Sequence, residues 1–80
     1  MDDREIVDQI NRLVAEEHKL EEAHVGEGLS NADQERLRAV EIQLDQCWDL
    51  LRQRRARREF GQNPDEAAVR DQETVERYQQ

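Results

Sequence analysis

The sequence has one cysteine, one proline, three glycines and a single each of Trp, Tyr and Phe among 80 residues. A lone cysteine closes no disulfide within the chain, so a reducing cytoplasm is the expected compartment. No apolar run approaches the roughly 18 residues of a membrane span. The start, Met1-Asp2-Asp3-Arg4-Glu5, is acidic where a secretory signal needs a basic and then an apolar region. The expectation is a cytoplasmic protein without membrane contact. Apolar residues make up 35% of the chain and charged ones 40%, well away from the usual globular balance. Only 21 residues are apolar and larger than alanine, a core too small to be comfortable in a lone domain. That excludes a multidomain enzyme, a disulfide scaffold and a membrane span. It leaves a long thin architecture or a partner.

What is abundant is charge, with 20 acids against 12 Lys and Arg and a formal net charge of −8. Such a chain repels DNA and anionic lipid on average, so nucleic acid is not an expected partner. The average conceals an asymmetry. Residues 1–51 hold 14 acids and 5 bases, residues 52–58 hold five Arg and no acid, and residues 59–80 hold six acids and two Arg. A basic block thus interrupts an acidic molecule.

Ile6, Val7, Ile10, Leu13, Val14 and Leu20 fall on one side of a 3.6-residue helix, which predicts a first helix over about residues 3–24. Val25-Gly26-Glu27-Gly28-Leu29-Ser30 breaks it, with Gly26 or Gly28 suited to a left-handed C-terminal residue. Ser30-Asn31-Ala32-Asp33 has the capping-box form and opens a second helix over about 31–60. At 1.5 Å per residue these helices are about 33 and 45 Å long. The short connection makes them antiparallel neighbours. Asn63-Pro64-Asp65-Glu66 is an N-cap followed by Pro at N1, so a short helix is expected from about 64. Beyond Arg70 only Val75 and Tyr78 are available to anchor the tail, which is expected to be loosely held. The fold class is therefore all-α: an antiparallel hairpin over 1–60 and an acidic C-terminal tail with a short helix over 61–80.

On a wheel, Leu37, Val40, Leu44, Cys47, Trp48 and Leu51 share a stripe about 100° wide, the width of a core-facing seam. Trp48 is expected to be its largest core contributor. One flank carries Arg38, Glu41, Asp45, Asp49 and Arg52 and is expected to be wet. The other carries Ala39, Ile42, Gln43, Gln46, Leu50 and Gln53 without a charge. Chance accounts for that flank as well as a second interface does. If it is an interface, Ala39, Ile42, Gln46 and Leu50 are its candidates, and the small core favours a homodimer forming a four-helix bundle.

The basic block is Arg52-Gln53-Arg54-Arg55-Ala56-Arg57-Arg58. In an antiparallel hairpin it lies beside Asp2, Asp3 and Glu5. One reading is internal: cations near a helix C-terminus, paired with those acids and with Asp65 or Glu66. The other makes Arg52, Arg54, Arg55, Arg57 and Arg58 a contact site for a phosphate group or an acidic partner, because guanidinium forks suit both. No aromatic residue interleaves with the block, which argues against nucleic acid. Glu21 and His24 have the spacing used in di-metal bundles, but the second helix offers no matching pair, and no metal is expected. Glu17 is placed to meet Arg36 or Arg38 across the hairpin. Cys47 beside Trp48 reads as a small hydrophobe, far along the hairpin from His18 and His24. With no phosphate loop, no nucleophile–base arrangement and no room for an enzymatic pocket, neither catalysis nor a cofactor is expected.

The run Leu44-Asp45-Gln46-Cys47-Trp48-Asp49-Leu50-Leu51-Arg52-Gln53-Arg54-Arg55, followed by Asn63-Pro64-Asp65-Glu66, resembles a family of short actinobacterial proteins classed as a domain of unknown function. The resemblance extends over nearly the whole chain and implies a stand-alone bacterial protein. It carries no catalytic or binding residue with it. The residues themselves favour a non-catalytic helical protein that presents a helix face to another protein. The alternative is a sensor that holds a phosphate-bearing small ligand at the arginines.

Overall fold

A computed structural model describes residues 1–22, 28 and 30–79, the last four by their backbone course alone. Helix α1 spans Asp3–Glu22, α2 spans Asn31–Glu59 and α3 spans Gln72–Gln79. A single 3-10 turn covers Pro64–Glu66, and there is no strand among the described residues. The expected helix ends beyond Glu22, including His24, Gly26 and most of the 25–30 loop, lie outside the described residues.

Each start has a local cause in the sequence. Asp2 and Glu5 form a reciprocal capping box on α1: the Glu5 N–H donates to Asp2 Oδ1 at 2.8 Å and the Asp2 N–H to Glu5 Oε1 at 3.3 Å. Ser30 caps α2 through its hydroxyl, which accepts from the Asp33 N–H at 3.2 Å. The end of α2 is a Schellman arrangement on Gly61, whose φ of +71° suits glycine. There the Gln62 N–H reaches the Arg57 carbonyl at 2.7 Å and the Gly61 N–H reaches that of Arg58 at 3.3 Å. Asn63 caps the 3-10 turn through Asp65 N–H at 3.0 Å. Asp71 caps α3 through the Thr74 N–H and hydroxyl at 2.9 and 3.2 Å. Helical structure does begin at Pro64, but only for one turn. Residues 67–71 then run without helix along α2 before α3 starts.

Ile6, Ile10 and Leu13 of α1 meet Val40, Leu44 and Leu50 of α2 in one buried cluster, with Val14, Cys47, Leu51 and Ala67 packed around it. Val75 of α3 is fully buried apart from that cluster, and α3 packs on α2. The tail is thus anchored where the sequence offered its one aliphatic residue after Arg70. The molecule remains elongated. Its radius of gyration is 15.0 Å, against about 12 Å for a compact domain of this length.

Three expectations are corrected. Trp48 is 48% exposed rather than central. The buried line of α2 runs Val40, Leu44, Leu50 and Arg54, about a quarter-turn away from Trp48 on the wheel. Asp49, placed by the wheel on the wet flank, is 0% exposed, because the C-terminal segment covers it. Across the hairpin, Arg36 meets Glu16 rather than Glu17, with Nε and Nη2 on the two carboxylate oxygens at 2.5 and 2.7 Å.

Candidate functional site

Successive residues of a helix are rotated by about 100°, so α2 presents different chemistry to each neighbour. On the side of the C-terminal segment, the Arg70 guanidinium grips Asp49 with two nitrogens, Nε donating to Oδ2 at 2.8 Å and Nη2 to Oδ1. Gln53 Nε2 donates to the same Oδ2 at 2.9 Å. These donors, Arg70 first, hold the Asp49 carboxyl below its usual range against the opposing effect of burial. The amides of this flank bind backbone. Gln53 Nε2 reaches the Ala68 carbonyl at 2.8 Å and Gln46 Nε2 the Arg70 carbonyl at 3.3 Å. An amide satisfies such carbonyls without bringing a charge that would need its own partner, which accounts for the uncharged Gln46 and Gln53. Two residues of the flank, Gln46 and Gln53, thus meet the chain's own backbone at Arg70 and Ala68. Of the interface candidates, Leu50 is 6% exposed and packs in the α1–α2 core. Gln46 is committed to Arg70, and Ala39 and Ile42 are half-buried.

The arginine block divides by direction. Arg54, whose side chain is 8% exposed, donates through Nε to Asp3 Oδ1 at 2.5 Å and through Nη1 to the Pro64 carbonyl at 3.1 Å and Asp65 Oδ1 at 3.0 Å. Arg58 takes the other oxygen of Asp3 at 2.8 Å, and Arg57 lies 3.6 Å from Glu66. Asp3, held by Arg58 and Arg54 in that order, is kept below the usual carboxylate range. Three of the five candidate arginines therefore serve the fold: one joins the start of α1 to the 3-10 turn, and the other two each reinforce one of those contacts. Arg52 and Arg55 are exposed and make no ion pair or side-chain hydrogen bond among the described residues.

Those two arginines border a cleft of about 380 Å³ with Trp48, Val7, Leu51, Asp3 and Arg58. Trp48 and Val7, 48% and 42% exposed, give it an apolar floor beside exposed cations. A half-buried Cys47 faces the other way, into a groove with Ile6, Gln43 and Leu50. Burial pushes its thiol up, opposite to what activates a nucleophile. Among the described residues no three His, Cys, Asp or Glu side chains are grouped to hold a metal. The Glu21-x-x-His24 pair ends outside them. No helix among those residues is long and apolar enough to cross a membrane. Sequence reasoning held Arg52 and Arg55 among five candidate arginines without separating them, and took Trp48 for core. A closer reading of Val7, off the line of Ile6, Ile10 and Leu13, would have marked the edge on which Trp48 sits.

Comparison with known proteins agrees with the resemblance of residues 44–66. A family model described as "Protein of unknown function (DUF2630)" matches residues 2–80. The chain belongs to this family. Uncharacterised proteins of Mycobacterium bovis and Mycobacterium tuberculosis are each 51% identical to it over 77 residues, covering 95% of this chain and 88% of theirs. DUF2630 membership places the chain among actinobacterial relatives and attaches no activity to any residue. No solved structure matches it significantly.

Proposed function

We propose that this DUF2630 protein is a non-catalytic interaction protein whose contact surface is the α1–α2 face around Trp48, with Val7, Arg52 and Arg55. One observation carries the reading. The chain spends Arg54, Arg57 and Arg58 on its own acids, yet leaves its single tryptophan and two neighbouring arginines uncovered. Tryptophan and arginine are the residue types over-represented where binding energy concentrates, because one brings a large rigid apolar area and the other a forked donor. A photo-reactive residue placed at Arg52 in the native cell should give one discrete cross-linked adduct, absent with Trp48→Ala and absent when the probe sits at Lys19. Adducts of equal yield at both positions, or adducts indifferent to Trp48, overturn the proposal.

A phosphate-bearing small ligand is the second reading, supported by Arg52 and Arg55 sharing the cleft with an indole face. It requires nucleotides to raise the melting temperature in a salt-sensitive manner, and Arg52→Ala with Arg55→Ala to remove that rise. A panel of nucleotides without effect sinks it.

A further inference from the structure

The charges around Trp48 are ordered along α2. Glu41 lies seven residues before it and Arg55 seven after, so the three share one heptad line on the helix. Asp45 lies three before and Arg52 four after, on the adjoining line. The face is therefore acidic on one side of the indole and basic on the other. Glu41, Asp45, Arg52 and Arg55 make no ion pair or side-chain hydrogen bond among the described residues. The positions on the opposite side of α2, by contrast, are filled by Arg70 and the 68–70 carbonyls.

We infer that this face receives a second copy of the chain, its α2 antiparallel to the first about a two-fold axis close to Trp48; the inference rests on the interaction reading above and names the partner. In an isologous contact, position 48 + n of one copy faces 48 − n of the other. Arg55 then lies over Glu41 of the other copy, and Arg52 within one residue's rise, about 1.5 Å, of its Asp45. The reciprocal contacts repeat both pairs, and the two Trp48 rings meet at the centre with Val7 beside them. A parallel arrangement sets Arg55 on Arg55 and Glu41 on Glu41. An acidic helix from a different protein would satisfy Arg52 and Arg55 while opposing Glu41 and Asp45. Of these three arrangements, the antiparallel second copy alone meets both halves of the pattern. A net charge of −8 per chain opposes self-association at long range, so pairing needs a local complement of this kind. The elongated monomer has apolar surface to gain from it: among the described residues only seven apolar side chains are buried, and the contact makes a four-helix bundle in which Trp48 becomes core.

The test uses the full chain and reversed charges. Sedimentation should show a dimer that dissociates on dilution, with the emission of the single Trp48 moving to the red as it does so. Arg55→Glu and Glu41→Arg should each weaken the dimer by about tenfold or more, since each places like charges together twice. Circular dichroism checks that both variants stay folded. Combining the two reversals in one chain should restore the dimer. Mixing the two single variants should give a heterodimer, because every contact across it is again opposite in sign. A wild-type monomer at high micromolar concentration overturns the inference, as does a dimer indifferent to both reversals or unrescued by combining them. If the monomer result comes with a Trp48-dependent adduct at Arg52 in the cell, only the second copy falls. If the adduct is missing too, the interaction reading falls with it.

Discussion

Trp48 and Asp49 are adjacent on α2, and each occupies the place the other's chemistry would suggest. The tryptophan is half exposed and the aspartate has no exposed surface. Burial is decided here by what the rest of the chain brings to each side. The C-terminal segment brings a guanidinium and free carbonyls, and these suit Asp49, Gln46 and Gln53. Among the described residues the Trp48 side meets only the edge of α1 at Asp3 and Val7, so half of an apolar ring and two arginines stay exposed. Among the described residues one side of α2 is covered by the C-terminal segment and the other stays partly open.

The largest expected effect comes from breaking the covered side. Arg70→Met leaves the Asp49 carboxylate buried with Gln53 as its remaining donor, which should cost about 3 kcal/mol of unfolding free energy, measured by urea denaturation. Replacing both, as Asp49→Leu with Arg70→Leu, should cost less than Arg70→Met alone, since no buried charge is then left without its pair. A double variant less stable than the single one would show that the pair holds the segment by more than electrostatics.

Acid sharpens the same contrast more gently. Asp49 and Asp3 are held below their unfolded values by Arg70 and by Arg58 with Arg54. The folded chain thus binds fewer protons than the unfolded one between the two values. The stabilisation is complete above about pH 4 and is lost as pH falls through the lowered values. Urea midpoints measured across that range should fall with acid in the wild type and fall less steeply in Asp49→Asn.

The smallest effect is expected on the open side. In dilute protein Trp48→Ser should cost about 1 kcal/mol, well below Arg70→Met, and Arg55→Glu about 0.5 kcal/mol or less, because neither removes a buried partner. A larger loss from Trp48→Ser in the monomer would mean that the indole holds the hairpin together, and the contrast between the two sides would go.

The hairpin could be read in the sequence because its causes are local: the apolar line of Ile6, Ile10 and Leu13, the Ser30–Asp33 cap and the absence of Gly and Pro through α2. The side assignments within α2 could not, because they depend on a segment more than a dozen residues away. The wheel put Asp49 with Asp45 as solvated, and only the return of residues 67–71 along α2 reverses that. Trp48 was misplaced for a related reason. A stripe centre estimated from α2 alone shifts when Arg54, a residue that pattern reading counts as surface, takes a buried position. The paired fate of Arg54, Arg57 and Arg58 was half legible, since the hairpin brings the block to Asp3. The choice of Arg52 and Arg55 as the two left over was not.

Arg54 has a consequence for how the molecule opens. It binds Asp3, 51 residues away in sequence, and both Pro64 and Asp65. Chain ends ordinarily fray one turn at a time, each on its own. Here the first turn of α1 and the entry to the C-terminal segment share one side chain, and releasing either leaves a nearly buried cation short of partners. The beginning of α1 and the segment that follows α2 therefore come away together, as one cooperative unit, or stay in place together.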